Sequence, residues 1–315
     1  DFELPLEANF ADHIEPYHLD EANFTASARL PEYDEPRSFM GYHRAGGRGV
    51  GTRNFIVVLG TSSRTTGFAQ RLAATMHPEV ADCDDIDGVV VVAHTEGGSS
   101  SAPNNKELLL RTMAGFMLHP NIGAVLAVDY GVEAVNNAAL RAYLEEHDYE
   151  LEAVPHRFMS IAGSHAAQLH AGQEQIRAWL PEVGAAKRTP EPLKHLRIAL
   201  QCGGSDAFSG ISGNPLVSWV AREVIRHGGG ANLAETDELS GAEPYVLQKV
   251  RDLDTARRFL FMVERFKERV AWHGESAEGN PSGGNKFRGL YNIVLKSIGA
   301  AMKLHPDVRL DYCID

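Results

Sequence analysis

The sequence predicts an α/β protein built from two Rossmann-like parallel-sheet units packed together, preceded by an extended linker. Three observations carry this. Short continuous runs of aliphatic, β-branched residues alternate with amphipathic helical segments, the pattern of a parallel sheet covered on both faces. The alternation stops at PEVGAAKRTPEPLKH (181–195) and then restarts. Residues 1–39 have little periodicity and are rich in acids, proline and isolated aromatics. The expected division is therefore a linker over 1–39, a first α/β domain over 40–190 and a second over 191–315.

The elements follow in order. NFIVVLG (54–60), GVVVVAH (88–94) and IGAVLAVD (122–129) read as buried strands. The helices between and after them are FAQRLAATM, KELLLRTMAGFML and the helical part of YGVEAVNNAALRAYLEEH. SHAAQLHAGQEQIRAWL closes the first unit as a helix. In the second, RIALQ and ANLAET (231–236) read as strands around the helix NPLVSWVAREVIRHG. A long helix is expected over 243–270 and another over 287–303, with a strand-like VRLDYCI at the end.

Composition narrows the function. The formal net charge of −12 disfavours a nucleic-acid partner. No run approaches the length of a membrane span, so no membrane partner is expected. The first residues, DFELPLEANFADHIEP, lack the basic and apolar regions of a signal peptide. Three cysteines (Cys83, Cys202, Cys313) without a Cys-x-x-Cys pair fit a reducing cytoplasm. The fourteen histidines contain no His-x-x-x-His or His-Glu-x-x-His pair.

In open parallel sheets, ligands bind beyond the carboxyl ends of the strands. QCGGSDAFSGISGNP (201–215) lies there and suits an anion cradle. Gly203 and Gly204 allow close backbone approach, Ser205 and Ser209 donate hydroxyls, and Asp206 accepts them. Asn214 is a good helix N-cap ahead of Pro215, and a helix start favours a carboxylate. Alternatively, the loop is a plain glycine-rich turn. Glu235, Asp237, Glu238 and Glu243 form an acidic cluster after the next strand. Glu235, nearest the strand, is the candidate base or metal ligand, and Glu243 the solvated first-turn acid of a helix. His94 ends a strand and suits acid–base work, or else is a half-buried histidine bonded to backbone. GYHRAGGRGVGTRN brings Arg48 and Arg53, and EGNPSGGNKFRG brings Asn285, Lys286 and Arg288. Two glycine-plus-cation loops in an acidic protein point to an anionic small substrate.

Together GYHRAGGRGVGTRN, QCGGSDAFSGISGNP, AETDELSGAE and EGNPSGGNKFRGLYNIVLKSIGA resemble the altronate/galactarate dehydratase family over roughly residues 40–303. The resemblance implies a lyase that removes water from an aldonate or aldarate, and a divalent metal, iron in the family. It also implies a small antifreeze-like N-terminal domain or subunit before the linker, a chain continuing beyond Asp315, and a homo-oligomer. Three family cysteines are missing: one in the stretch reading GTSSRTTG, one where Gly98 stands and one where Val132 stands. Cys202 is kept and is expected to be a packed strand-end residue. The loss predicts a metal centre that is gone or rebuilt with oxygen and nitrogen ligands. On this reading the anion cradle and the Arg/Lys groups hold the substrate carboxylate, Asp206 holds hydroxyls, and His94 and Glu235 act as acid–base or metal-binding groups. The rival readings are a sulfolactate-type sulfo-lyase, a non-catalytic sugar-acid-binding member, and a generic nucleotide-binding α/β protein, which the lack of a phosphate-loop lysine motif disfavours.

Overall fold

The structure is a computed structural model that describes residues 17–314. The N-terminal stretch read as lacking a signal peptide, and the first part of the linker, lie outside the described residues. The chain forms two compact units, Ser38–Pro192 and Leu193–Asp315, and described residues up to Arg37 belong to the latter. No helix among the described residues is long and apolar enough to cross a membrane.

The Ser38–Pro192 unit opens with β1 (Ser38–Arg44) and β2 (Gly49–Gly51), an antiparallel pair turning at Gly46 and Gly47, both at positive φ. The sequence read this region as a loop. Its strand character comes from this local hairpin and from a second partner of β1 distant in the chain, residues 189–192. A parallel sheet follows: β3 (Phe55–Gly60), β4 (Gly88–Val92), β5 (Ile122–Asp129) and β6 (His156–Ser160), in the order β4-β3-β5-β6. The crossovers are α1 (Thr66–Val80), α2 (Lys106–Leu118) and α3 (Asn137–Glu146), and α4 (His165–Ala185) follows β6.

Alternate residues of β3 feed two cores. Ile56 and Val58 pack with Phe68, Leu72 and Met76 of α1 and Ile176 and Trp179 of α4. Val57 and Leu59 pack with Met113 and Met117 of α2 and Leu140 and Tyr143 of α3. This is the Rossmann-like half of the expectation, three layers with helices on both faces. β6 was not foreseen, because HRFMS lacks a continuous apolar run. β7 (Thr189–Pro192) returns to pair with β1. The unit therefore ends at Pro192 within the proline-rich stretch chosen for the boundary.

The expected second parallel-sheet unit is much reduced. Among the described residues of Leu193–Asp315, only β8 (Arg197–Leu200) and β9 (Gly230–Leu233) pair, in parallel, across α5 (Gly213–Arg226). The rest is helical: α6 (Glu243–Leu247), α7 (Leu253–Ala271), α8 (Gly283–Phe287) and α9 (Ile293–Ala301). The helix expected over 243–270 is broken, because Asp252 caps a new start by accepting from Thr255 N. The helix expected over 287–303 begins only at Ile293, capped by Asn292. VRLDYCI makes a single parallel bridge, Val250 to Leu310.

The core of this unit gathers Val246, Leu247 and Val250 with Phe259 and Val263 of α7 and Ala301, Leu304 and Val308. Leu19, Phe24 and Leu30 of the linker pack against it. Ser27 N bonds Val250 O, Tyr33 N bonds Arg226 O, and Glu21 pairs with Arg257. Residues 17–37 are thus extended, as expected, but strapped to the unit.

Candidate active site

The register Leu200↔Leu233 brings the carboxyl ends of β8 and β9 side by side. Gln201 and Cys202 leave the first strand, and Glu235 follows the second. Glu235 adopts a left-handed backbone (φ 67°) although it is not glycine, a strained geometry that points to function when a site surrounds it. Its Oε1 accepts from Gln201 Nε2 (3.1 Å) and its Oε2 from Cys202 N (3.2 Å). The carboxylate therefore ties the two strand ends together. Burial pushes its pKa up, but bonds from Gln201, Glu238 and Cys202 N, with the Lys303 charge, together outweigh this and hold it below the usual glutamate value.

The turn at Thr236–Leu239 then presents Asp237 and Glu238. Glu238 is only 4% exposed. Its two oxygens meet Lys296 and Lys303, each at 3.4 Å. Lys303, 2% exposed, also lies 2.9 Å from Cys202 Sγ. Asp237 accepts from Asn280 Nδ2 at 2.5 Å. Burial raises the Cys202 thiol pKa, and the Lys303 ammonium only partly opposes it, so the sulfur carries its proton at neutral pH.

The glycine-rich segment ahead of α8 supplies the remaining wall. Ser282 and Asn285 form a capping box, and Asn285 Nδ2 donates to Ser205 O at 2.7 Å. A pocket of about 370 Å³ results, lined by Cys202, Gly203, Gly204, Ser205, Glu235, Asp237, Glu238, Asn280, Ser282, Asn285, Arg288 and Lys296.

The predicted residues divide. Gly203, Gly204, Ser205, Glu235 and Asn285 meet in this pocket. Asp206 and Ser209 instead hold a reciprocal turn, with Asp206 Oδ1 accepting from Ser209 N (2.6 Å) and Ser209 Oγ donating to Asp206 O (2.7 Å). Asn214 is not the N-cap. Ser212 holds that position, Asn214 N bonds Ser209 O, and its side chain donates to Gly299 O at 2.8 Å. Lys286 is exposed on α8 and does not line the pocket.

The other three belong to the Ser38–Pro192 unit. Arg48 donates to the carbonyls of Leu118, His119, Ala153 and Ile122. Arg53 pairs with Asp87 at 2.9 Å. His94 Nδ1 accepts from Glu96 N, so Nε2 is the protonated nitrogen that donates to Thr61 O (3.1 Å). At the positions of two missing family cysteines, a Cβ on Gly98 would collide with Ser63 Oγ, and Val132 is exposed.

Two expectations need correction. Cys202 is not packed as an apolar strand-end residue, for it faces a carboxylate pair and an ammonium. Glu243 is 6% exposed and buried at the start of α6, not solvated. Reasoning from sequence also passed over Lys296 and Lys303. The signal was present: IVLKSIGAAMK is apolar apart from Ser297 and its two lysines, which stand seven residues apart.

Cys202, Glu235 and Glu238 place one ligand atom each within 4.8 Å of one another, a group that could hold a metal ion. One thiol and two carboxylates suit a borderline divalent cation. Lys303, however, already lies against two of the three donors. The residues fit an ammonium better than a metal, and no step below runs through a metal.

A parallel-strand edge here gathers acids, lysines and a glycine-rich loop around one pocket. The comparisons carry this further. Residues 41–184 match the model of the D-galactarate dehydratase/altronate hydrolase second domain, and residues 193–314 that of the D-galactarate/altronate dehydratase C-terminal domain. The chain belongs to this family. It is 34% identical to altronate dehydratase of Escherichia coli over 90% of this chain and 56% of that protein. It is 31% identical to altronate dehydratase of Bacillus subtilis, over 87% of this chain and 54% of that one. It is 26% identical to the (2R)-sulfolactate sulfo-lyase subunit beta of Chromohalobacter salexigens, over 89% and 68% respectively. The chain thus spans just over half the length of the two altronate dehydratases.

Proposed function

We propose that this chain carries the reaction site of a sugar-acid hydro-lyase. It removes the proton beside the carboxylate of an aldonate or aldarate and expels the 3-hydroxyl. The observation that carries the reading is one pocket offering both fixed cations and ionised carboxylates, in a chain of a family named for sugar-acid dehydration. Dehydration needs both: cations for the enediolate charge, and carboxylates to take a proton and hold hydroxyls.

Lys296 and Arg288 receive the substrate carboxylate, with the backbone of Gly203–Ser205 beside them. Glu235, ionised at neutral pH, is the base. Asp237, oriented by Asn280, holds a hydroxyl. The protonated Cys202 thiol, next to the Lys303 ammonium, delivers a proton to the departing hydroxyl. Asp206 acts on this view through the turn it holds with Ser209.

The test is turnover of a panel of aldonates, aldarates and sulfolactate by the purified chain and by its Glu235→Gln, His94→Ala and Asp206→Asn variants. Dehydration of a sugar acid, lost in Glu235→Gln with ligand binding kept, is the expected result. Turnover of sulfolactate alone selects the sulfo-lyase. Binding without turnover of anything selects a non-catalytic member.

A further inference from the structure

We propose that the ammonium of Lys303 fills the cation position of the Cys202–Glu235–Glu238 group, making this a lysine-held site and not a metal centre. Cys202, Glu235 and Glu238 converge within 4.8 Å, and Glu238, 4% exposed, needs a cation beside it, because a buried carboxylate without a partner is costly. The Lys303 nitrogen lies 2.9 Å from Cys202 Sγ and 3.4 Å from Glu238 Oε2, a position a metal would have to share. Lys296 meets the other oxygen of Glu238 at 3.4 Å. Two lysines then balance Glu235 and Glu238, with the thiol neutral. A divalent ion added to this set would leave two uncompensated positive charges, or one if it displaced the thiol proton, beside the buried Glu238 and Lys303.

Covalent tethering also places the cation without exchange. Lys303 follows α9 by two residues, and α9 is anchored by the Asn292 cap and by close approach of Gly299 to Gly210. The charge that a metal would bring to these donors is here part of the chain. The proposal stands independently of which acid, if any, the protein dehydrates.

The test titrates the full chain with Co²⁺ alone and follows thiolate-to-cobalt charge-transfer absorption, with Cys202→Ser as the control that assigns the band. The wild-type chain is expected to show no Cys202-dependent band. Lys303→Met removes the ammonium at similar volume and should gain that band, binding Co²⁺ at least about tenfold more tightly. A one-to-one, Cys202-dependent band in the wild-type chain overturns the proposal, as does a folded Lys303→Met variant without one. Should Lys303→Met fail to fold by circular dichroism, the wild-type titration decides alone.

Discussion

The side-chain amide of Asn285 donates to the carbonyl of Ser205 across eighty residues of sequence, at 2.7 Å. Its oxygen accepts from Ser282 N at 2.9 Å. One side chain thus caps α8 and fixes the anion loop. On the proposed function, Asn285→Ala should weaken ligand binding, and it should lower stability by about 1–2 kcal/mol through loss of its bonds to Ser205 O, Ser282 N and Lys296 Nζ. Denaturant unfolding and ligand titration check this. Unchanged stability with weakened binding would instead assign Asn285 directly to the ligand.

Glu235 has a depressed pKa in the folded chain, where burial is outweighed by bonds from Gln201, Glu238 and Cys202 N together with the Lys303 charge. A depressed carboxylate contributes stability that is fully present above its unfolded pKa and lost as pH falls through the folded value. Gln201→Ala removes one donor, so the Glu235 pKa should rise toward the ordinary glutamate value. The acid limb of ligand binding or turnover should move up with it. NMR titration of the Glu235 carboxyl carbon, in parallel with binding at each pH, measures both.

Lys249 is 7% exposed, its ammonium has no hydrogen-bond partner, and its nitrogen lies 2.8 Å from the centre of the Tyr245 ring. Burial pushes its pKa down to about 8. Between that value and the ordinary lysine value the unfolded chain binds more protons, so stability should rise with pH across that window. Lys249→Met should abolish this rise and stabilise the protein by about 1–3 kcal/mol at neutral pH, the cost of an unsatisfied buried group, less what the ring returns. Unfolding curves for both chains at several pH values test it.

Gly210 and Gly299 allow the anion loop to touch α9, but they are not equivalent. A Cβ on Gly210 would lie 2.9 Å from the Gly299 Cα, whereas a Cβ on Gly299 would lie 3.5 Å from the Gly210 Cα, an ordinary contact. Gly210→Ala should therefore destabilise and Gly299→Ala should not. The helical position of Gly299 even favours alanine, by up to about 1 kcal/mol. Comparison of the two melting temperatures checks the asymmetry.

Legibility differed between the two units. β3 and β5 are runs of consecutive apolar residues, and α1 to α4 alternate with strands at regular spacing, so local pattern and buried position agree. In the Leu193–Asp315 unit two helix starts are set by single capping side chains, Asn292 and Asp252. Periodicity runs through such caps, which is why two helices were drawn too long. Among site residues, Gly203, Gly204, Ser205 and Glu235 were legible because chain connectivity alone puts them at strand ends. Asp206, Ser209 and Asn214 have the same composition cues but use their polar groups within the turn.

Alone, the sequence determined the three-layer α/β unit, the loops that follow β8 and β9, and the family. These depend on local pattern and on residues near one another in the chain. Only the tertiary structure decided which charges meet. Glu238, Lys296 and Lys303 lie up to 65 residues apart, and each reads alone as an ordinary surface charge. Burying them in one place forces them to satisfy one another, since an isolated charge there would be too costly. That pairing turns Cys202 from a strand-end residue into a neighbour of a fixed ammonium.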